Sequence, residues 1–320
     1  MKTSRKVVII TGASSGVGAA AALEFATYKT QLVLAARNEN ALEKVADECR
    51  ALGAKALVVV TDVTDTKAMI NLANKANDHY GHVDVWINNA GVLGAGDFDV
   101  TPMETHEQII RTNLIGYMNG AHAVLPVFKA QGYGTIINNI SIGGYLPVPY
   151  GAGYTASKFG LRGFSESLKA ELKAWPGIHV CDLFPAFLDT PGIYHAANYT
   201  GKMLKPAPPV YDPVKVARAM VQLSNQPKSN TYVGGTSLLL KFAHAIAPEA
   251  TANITGWVMR RYFKVADDVA LTDGNTYNTV DFGTGIHGGF NLPMAPKQKR
   301  NLIAGAALAG FAATWLLLRK

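Results

Sequence analysis

Residues 6–27 read KVVIITGASSGVGAAAALEFAT, and the order of residue types in this stretch decides which fold to expect. Residues 6–11 are typical of a short buried strand, and the alanine-rich residues 19–27 are typical of a helix. Between them lie Gly12, Gly16 and Gly18. Because glycine has no side chain, such a turn lets the backbone amides at a helix N-terminus approach a pyrophosphate closely. Strand, glycine turn and helix in this order therefore predict a nucleotide-binding unit.

The alternation of apolar strand and helix continues along the chain. Helical patterns cover residues 39–52, 65–80 (with Asp65 as the cap) and 153–175. This alternation predicts an α/β fold with a doubly wound parallel sheet of the Rossmann type and about seven strands, with ligands beyond the carboxyl ends of the strands. After the first strand, we predict strands at residues 31–36, 56–61, 83–88, 134–141, 178–184 and 231–234.

The residue after the second strand bears on the choice between NAD and NADP. A site specific for NAD places an acidic side chain there, on the ribose hydroxyls. This chain has Ala36 followed by Arg37, and a cation suits a 2′-phosphate. NADP(H) is therefore predicted over NAD(H). The alternative is an ordinary solvated arginine at a strand end.

Residues 141–158 combine side chains that suit acid–base chemistry. Two prolines fit a loop after Ser141, and a helix that starts near Gly153 would place Tyr154 and Lys158 one turn apart on a single face. An ammonium group beside a phenol favours the phenolate and lowers the phenol's pKa, so the tyrosine could exchange a proton with an alcohol. Ser141 could hydrogen-bond the same oxygen. Taken alone, the Tyr-x-x-x-Lys spacing is also typical of a solvated helix face.

Composition limits the class of protein. The chain has 320 residues, 48% of them hydrophobic, which is enough for a large core in one domain or two and argues against disorder. Cys49 and Cys181 are predicted to be buried and reduced. The pair His79 and His82 is interrupted by a predicted helix end at Gly81, so we expect no metal site. The apolar run at residues 7–10 is too short for a signal peptide, so synthesis should start in the cytosol.

The formal net charge of +7 is concentrated towards the C-terminus. From Thr236 onward there are nine Lys and Arg against five Asp and Glu, and 21 against 18 before it. Aromatic residues are not interleaved with a basic stripe, which argues against nucleic acid as a partner. A membrane surface fits this charge better.

Two segments suggest contact with an apolar ligand. Residues 186–212 include Tyr194, Tyr199, Met203 and Leu204 and are expected to form either a mobile cover over the substrate or an ordinary surface connection. Residues 236–273 resemble amphipathic helices broken at Pro248. They could lie on a bilayer, line an apolar entrance, or pack in a core or dimer interface.

The last residues of the sequence are predicted to anchor the protein in a membrane. Residues 302–318 are 17 uncharged residues, flanked by basic residues on both sides. As a helix they would span ~26 Å, close to the ~30 Å hydrocarbon core. The alternative is a buried core or interface helix. Residues 274–299, rich in glycine, are predicted to be an irregular linker.

Over residues 6–235 the sequence resembles the short-chain dehydrogenase/reductase family. The matching motifs are Thr11-Gly-Ala-Ser-Ser-Gly-Val-Gly18, Asn88-Asn-Ala-Gly91, Asn113, Ser141, Tyr154-x-x-x-Lys158 and residues 185–190. The resemblance implies that Tyr154 is the general acid/base and that Ser141 orients the carbonyl or hydroxyl group. It also implies that Lys158 binds the nicotinamide ribose and lowers the tyrosine pKa, and that Asn113 holds a water in a proton relay.

The same resemblance implies which residues bind the dinucleotide. Besides Tyr154 and Lys158, they are Gly12, Ser14, Ser15, Gly16, Val17 and Gly18 in the turn, Arg37 at the NADP phosphate, Asp62 and Val63 at the adenine, Asn89, Ala90 and Gly91 on the nicotinamide side, and Pro185, Leu188 and Thr190 near the carboxamide. One position departs from the family pattern, because Ala186 follows Pro185 where the family usually has glycine. Its methyl group could shift the loop that contains Leu188 and Thr190.

These observations predict an NADP(H)-dependent oxidoreductase that reduces a lipophilic carbonyl, of steroid, retinoid or long-chain acyl type, or oxidises the alcohol. The alternatives are a soluble 3-oxoacyl-thioester reductase and a catalytically silent NADP-binding scaffold. The resemblance also implies a homodimer or homotetramer. The predicted organisation is a catalytic and cofactor-binding domain (residues 1–235) facing the cytoplasm, an amphipathic extension (236–273), a linker (274–299) and a membrane-spanning tail (300–320).

Overall fold

The computed structural model describes residues 5–290, which contain nine strands and nine α-helices. The strands are β1 (Val7–Thr11), β2 (Gln31–Ala36), β3 (Lys55–Val60), β4 (Val85–Asn88), β5 (Gly94–Ala95), β6 (Gly134–Asn139), β7 (Ile178–Pro185), β8 (Ala197–Asn198) and β9 (Asn230–Val233). The helices are α1 (Gly16–Ala26), α2 (Glu39–Ala51), α3 (Thr66–Tyr80), α4 (Met103–Ile110), α5 (Gly116–Gln131), α6 (Ala152–Glu171), α7 (Val214–Asn225), α8 (Gly235–Ile246) and α9 (Pro248–Phe263).

Seven of these strands form one parallel sheet in the order β3-β2-β1-β4-β6-β7-β9. The chain moves outward from β1 to β3, then returns beside β1 at β4 and moves outward in the other direction. In a doubly wound sheet, the ligand cleft opens where the strand order reverses, which here is between β1 and β4. The predicted α/β fold and its strand count are thus confirmed. The two-residue strands β5 and β8 form a separate small sheet that we did not predict.

Strand β1 shows how side-chain alternation builds the two layers of helices. All five of its residues are buried. Val8 and Ile10 pack into a cluster with Phe25 of α1, whereas Ile9 packs on the opposite face with Leu72 of α3. Successive side chains of a strand point to opposite faces, so a continuous apolar run is what a strand covered on both sides requires. The alanines of α1 are buried against this sheet.

A chain of buried polar side chains crosses three neighbouring strands. Asn88, Asn138 and Asp182 lie in register on β4, β6 and β7. The Asn88 amide donates to Asn138 Oδ1 (3.0 Å), and the Asn138 amide donates to Asp182 Oδ1 (3.2 Å). Lys169 Nζ, on α6, donates to Asp182 Oδ2 at 2.6 Å. Each buried polar group thereby gains a partner, which offsets the cost of removing it from water.

Most predicted helix ends agree with the structure to within a few residues. Asp65 caps α3, since its carboxylate accepts the amides of Lys67 and Ala68. Helix α6 begins at Ala152, one residue before the predicted start. The break predicted at Pro248 separates α8 from α9, because proline fits the first turn of a helix better than its interior.

Only part of the predicted linker and tail lies within the described residues. Residues 274–290, within the predicted linker, contain no helix or strand and pack against the glycine turn and its neighbours. The predicted tail at residues 300–320 lies outside the described residues. Within residues 5–290, no helix is both long enough and apolar enough to cross a bilayer.

Candidate active site

A cavity of about 930 Å³ lies at the carboxyl ends of the central strands. One end is walled by the glycine turn after β1 and by the loop after β4, and the other by apolar side chains of α8 and α9. Tyr154 and Lys158 of α6 line it as well. With the exception of Gly18, every residue that the sequence predicted for catalysis or cofactor binding lines this one cavity.

The glycine turn is held by the motif that follows β4. The hydroxyl of Thr11 accepts the backbone amides of Asn89 (3.0 Å) and Ala90 (3.2 Å), and the Asn89 side chain donates to the Thr11 carbonyl (3.0 Å). A Cβ on Gly12 would lie 2.7 Å from Ala90 Cα, so a side chain at this position would collide with the backbone. The glycine turn and the loop after β4 therefore form one closely packed wall of the cavity.

Gly18 has a different role from the one expected of a cofactor residue. A Cβ at this position would collide with the carbonyl oxygen of Gly12, and the residue does not line the cavity. Its missing side chain lets α1 begin directly beneath the turn. That packing aims the N-terminus of α1 at the cavity, which Gly12, Ser14, Ser15, Gly16 and Val17 line.

Ser141 lies in a strained turn between β6 and α6. Its φ of 97° is in the left-handed region, which serine rarely occupies. Its hydroxyl accepts the amide of Gly143 at 3.2 Å and is hydrogen-bonded to Tyr154. Strain of this kind is retained only where the surroundings hold the residue firmly, and it is common at functional sites.

Tyr154 and Lys158 lie one turn apart on α6, as the spacing predicted. The Lys158 Nζ lies 5.8 Å from the centre of the Tyr154 ring and 5.2 Å from that of Tyr117. It donates to the carbonyl of Asn139 at 3.4 Å, and the Tyr117 hydroxyl donates to the same oxygen at 3.0 Å. Tyr117 is a site residue that the sequence analysis missed, because nothing in its sequence surroundings separates it from core residues of α5.

The pKa of Tyr154 is governed by burial and by Ser141, and the expected lowering by Lys158 is not found. Burial raises the pKa of Tyr154 above its ordinary value, and the hydrogen bond with Ser141 opposes this only in part. Burial also lowers the pKa of Lys158 to about 7, so near neutral pH only part of the population carries the ammonium charge. The prediction considered the charge of Lys158 and neglected the desolvation of both groups.

Asn113 lies where the helix that follows α4 widens into a π-turn over residues Arg111–Ile115. Its side chain accepts the amide of Val92 (2.8 Å) and donates to the carbonyl of Val92 (2.9 Å) and to Ser157 Oγ (3.3 Å). These bonds join the loop after β4 to α6. Both side-chain donors are engaged, whereas Oδ1 accepts one hydrogen bond and has a second lone pair for a donor such as water.

The predicted adenosine end of the cavity is already hydrogen-bonded. Arg37 is half-buried and donates to the carbonyl oxygens of Asn275 (2.5 Å) and Tyr277 (3.0 Å). Asp62 Oδ1 accepts the amide and hydroxyl of Thr64, both at 2.8 Å, and Val63 is buried beside it. The sequence predicted Arg37 as a ligand of the NADP phosphate, and it did not predict these backbone partners.

The loop after β7 accommodates the alanine that departs from the family pattern. The Ala186 amide donates to the carbonyl of Val233 at 2.9 Å, and Ala186 is buried on the cavity wall. Pro185, Leu188 and Thr190 line the same wall. The methyl group therefore does not remove these residues from the cavity.

The other end of the cavity is apolar. Beyond the residues directly after β7, the segment predicted as a cover supplies Gly192, Ile193, His195 and residues 204–208, whereas Tyr194, Tyr199 and Met203 do not line the cavity. The apolar residues that α8 and α9 add are Leu240, Ile254, Val258, Met259 and Phe263. Lys205 is exposed, and the other lining lysine, arginine and aspartate residues, Arg37, Asp62 and Lys158, belong to the predicted dinucleotide end. Helices α8 and α9 thus supply apolar side chains to the cavity wall.

The cavity fits a dinucleotide at its polar end. The glycines provide a cradle that a side chain would fill, the N-terminus of α1 presents amide donors, and Arg37 supplies a fixed positive charge. These features suit the anionic groups of NAD or NADP. Ser141 and Tyr154 lie on the same cavity wall, where a substrate oxygen could reach both.

Comparison with known proteins agrees with this geometry. A family model described as short chain dehydrogenase matches residues 6–197. The chain belongs to the short-chain dehydrogenase family. It is therefore an oxidoreductase.

Three relatives show how far the likeness to other short-chain dehydrogenases extends. Estradiol 17-beta-dehydrogenase 11 of Mus musculus is 31% identical over 76% of this chain and 80% of its own. An alcohol dehydrogenase of the archaeon Thermococcus sibiricus, complexed with 5-hydroxy-NADP, is 27% identical with a TM-score of 0.63, over 72% of this chain and 96% of its own. A short-chain dehydrogenase/reductase of Burkholderia phymatum, in complex with NAD, is 25% identical with a TM-score of 0.69, over 78% of this chain and 96% of its own. Relatives of this short-chain dehydrogenase thus bind either nucleotide.

Proposed function

We propose that this oxidoreductase uses NADP(H) in preference to NAD(H) to reduce lipophilic ketones or aldehydes, or to oxidise the corresponding alcohols. The observation that supports this most directly is the single cavity that has a dinucleotide cradle and Tyr154 at one end and apolar helices at the other. Arg37 supports the preference for NADP, since a guanidinium suits a phosphate. Estradiol, named in the relative from Mus musculus, is an example of the substrate class.

In the proposed reaction, the cofactor supplies or accepts a hydride when bound. Tyr154 gives its hydroxyl proton to the substrate oxygen during reduction and takes it back during oxidation. Ser141 hydrogen-bonds the same oxygen and helps to stabilise the negative charge that develops on it. The raised pKa of Tyr154 suits reduction, because it keeps the hydroxyl protonated at neutral pH.

Lys158 is proposed to hold the nicotinamide ribose and to pass on the proton that Tyr154 needs. A pKa of about 7 places Lys158 where it gains and loses a proton near physiological pH. The carbonyl of Asn139, which accepts from Lys158 and Tyr117, fixes the direction of the ammonium group. Asn113 is proposed to support this arrangement by tying the loop after β4 to α6.

The substrate class is tested by following NADPH oxidation against a panel of steroid, retinal and long-chain carbonyl compounds, with NADH as the control cofactor. We expect turnover of lipophilic carbonyls and a lower KM with NADPH than with NADH. Equal or faster turnover of small hydrophilic sugars would contradict the assignment. Reduction of a 3-oxoacyl thioester and of no free carbonyl would favour the ketoreductase alternative.

We also propose that the enzyme meets these substrates at a membrane. Leu239, Ile246 and Trp257 are 67, 72 and 61% exposed and lie on α8 and α9, the two helices that line the apolar end of the cavity. Residues 302–318 add a sequence long and apolar enough to span a bilayer. The test compares the full chain with a version that ends at Pro296 by fractionation and by sedimentation with phospholipid vesicles. We expect the full chain to sediment with the vesicles and the shorter chain to remain in the supernatant.

A further inference from the structure

The segment that lies over the dinucleotide end of the cavity is residues 274–290, here called the strap. The strap contains Gly274 at its start and Phe290 at its end, and its residues Asn275, Thr279, Val280 and Thr284 line the cavity. It was expected to be a linker. Instead it is bonded to three separate parts of the dinucleotide end.

At its start, the strap occupies the guanidinium of Arg37. The carbonyl oxygens of Asn275 and Tyr277 accept from the two terminal nitrogens of Arg37, at 2.5 and 3.0 Å. The Asn38 side chain donates to the carbonyl of Val280 at 3.4 Å. The strap therefore contacts the residues after β2 through its backbone carbonyl oxygens. Its one carboxylate, Asp281, is exposed.

In its middle, the strap occupies the first amide of α1. The Gly16 N–H donates to the carbonyl oxygen of Gly285 at 3.0 Å. The first amides of a helix have no partner within the helix and are natural donors to a phosphate. A carbonyl oxygen of the chain itself already accepts from one of them.

At its far end, the strap is held by a buried carboxylate. Asp189, 3% exposed, accepts the amides of Gly288 (3.1 Å) and Phe290 (2.8 Å). The Phe290 ring stacks on Tyr194 with centroids 4.8 Å apart. These contacts fix the strap independently of Arg37 and Gly16.

We propose that the strap is an internal competitor for the dinucleotide. Carbonyl oxygens and phosphate oxygens are both acceptors, so the strap and an anionic ligand need the same donors on Arg37 and Gly16. The 2′-phosphate of NADP competes directly at Arg37, and the pyrophosphate of either nucleotide competes at the N-terminus of α1. This inference rests on the proposed function, because it assumes that the cavity binds NAD(P).

Competition has a defined effect on affinity. When only a fraction of the molecules has an open site, the apparent Kd is the intrinsic Kd divided by that fraction. A change that weakens the strap therefore lowers the apparent Kd for NADPH. The effect should be larger for NADPH than for NADH, which has no 2′-phosphate to displace the strap from Arg37.

Glycine-to-alanine changes within the strap provide matched variants. At Gly274, with φ of +54°, a Cβ would lie 2.6 Å from the carbonyl oxygen of Ala196. At Gly288, a Cβ would lie 2.6 Å from the carbonyl oxygen of Thr190. At Gly285, nothing lies within 4 Å of the added Cβ. Gly274→Ala and Gly288→Ala should therefore loosen the strap, and Gly285→Ala should leave it closed.

The test is equilibrium binding of NADPH and NADH to the full chain, measured by nucleotide fluorescence. We expect the Kd for NADPH to fall about fivefold or more in Gly274→Ala and Gly288→Ala, and to stay within about twofold of wild type in Gly285→Ala. A higher Kd in the two loosened variants would show that the strap clamps a bound nucleotide, and an unchanged Kd would show that it does not take part. Either result would overturn the proposal.

A second measurement uses the wild-type chain and does not depend on how the variants fold. Hydrogen exchange of the strap amides, including those of Gly288 and Phe290, should become faster when NADPH is added. Slower or unchanged exchange would contradict competition. If neither nucleotide binds the wild type or the loosened variants, both the proposed function and this inference are wrong. If the nucleotides bind but exchange of the strap amides does not become faster, only the competition proposal is wrong.

Discussion

The Nζ of Lys158 lies 5.8 Å from the centre of the Tyr154 ring, one turn along α6, and Lys158 is only 5% exposed. The lysine is thus placed beside the phenol at the cost of desolvating its own charge. Burial lowers the pKa of the Lys158 ammonium group to about 7. Because burial of this ammonium group costs folding free energy, removing its charge should stabilise the protein.

Replacing Lys158 by Met should stabilise the ligand-free protein at pH 6. The pKa of Lys158 is lower in the folded than in the unfolded chain, so the unfolded chain binds more protons between pH 7 and pH 10.5 and wild-type stability rises through that window. The pKa falls from 10.5 to about 7 on folding, and one pKa unit corresponds to ~1.4 kcal/mol, so a gain on the order of 5 kcal/mol is expected at pH 6. The gain should shrink towards pH 10.5, and urea unfolding at several pH values measures it. A gain that does not change with pH would contradict this explanation.

Ser141→Ala should move the pH profile of carbonyl reduction. The hydrogen bond with Ser141 lowers the pKa of Tyr154, so its loss should raise that pKa and shift the alkaline fall of kcat/KM to higher pH. Loss of the hydrogen bond to the substrate oxygen should also reduce kcat by about 100-fold. Ser224→Ala, remote on α7, serves as the control. A lower kcat with an unshifted profile would refute the link between the two hydroxyls.

Arg37→Met should weaken NADPH binding selectively. Hydrogen bonds to a charged group contribute ~1.5–3 kcal/mol, which corresponds to a Kd for NADPH raised about 10- to 100-fold. NADH lacks the 2′-phosphate, and loosening of the strap should leave its Kd unchanged or lower it. Arg218→Met, at an exposed arginine on α7, is the control. Equal weakening of both nucleotides would show that Arg37 does not distinguish them.

Asp182→Ala should destabilise the sheet without touching the cavity. Asp182 is fully buried and accepts from Lys169, Ser165 and Asn138, so its loss leaves partners unpaired inside the protein. Removing one member of a buried pair costs about 3–5 kcal/mol. Thermal unfolding measures the loss, with Asp268→Ala at an exposed pair as the control. Equal Tm values for the two variants would contradict the buried network.

The parallel sheet was predictable because its signals are local. Buried apolar runs, cap residues and glycine turns each lie within a few residues, and the Tyr154 and Lys158 pair follows from the helical repeat. The register of Asn88, Asn138 and Asp182 was not predictable in this way, since it depends on pairing between distant strands. The only sequence signal for this network was the presence of three polar residues within otherwise apolar strands.

The strap shows the main limit of reading this sequence. Its contacts with Arg37 and Gly16 are made by backbone carbonyls, which every residue has, about 240 to 270 residues away in the chain. Glycine-rich, irregular composition predicted a linker, and nothing in that composition indicates where the segment packs. The pKa of Tyr154 was missed for a related reason, because desolvation depends on burial by the whole fold.

The activity of Tyr154→Phe tests the central claim most directly. NADPH oxidation with a lipophilic ketone that the wild type reduces is followed for Tyr154→Phe and for Tyr145→Phe, whose hydroxyl bonds Tyr232 and does not line the cavity. We predict that kcat falls by about 100-fold or more in Tyr154→Phe, with NADPH affinity retained, and stays near wild type in Tyr145→Phe. Retention of most of the reductase activity by Tyr154→Phe would contradict the assignment of Tyr154 as the proton donor.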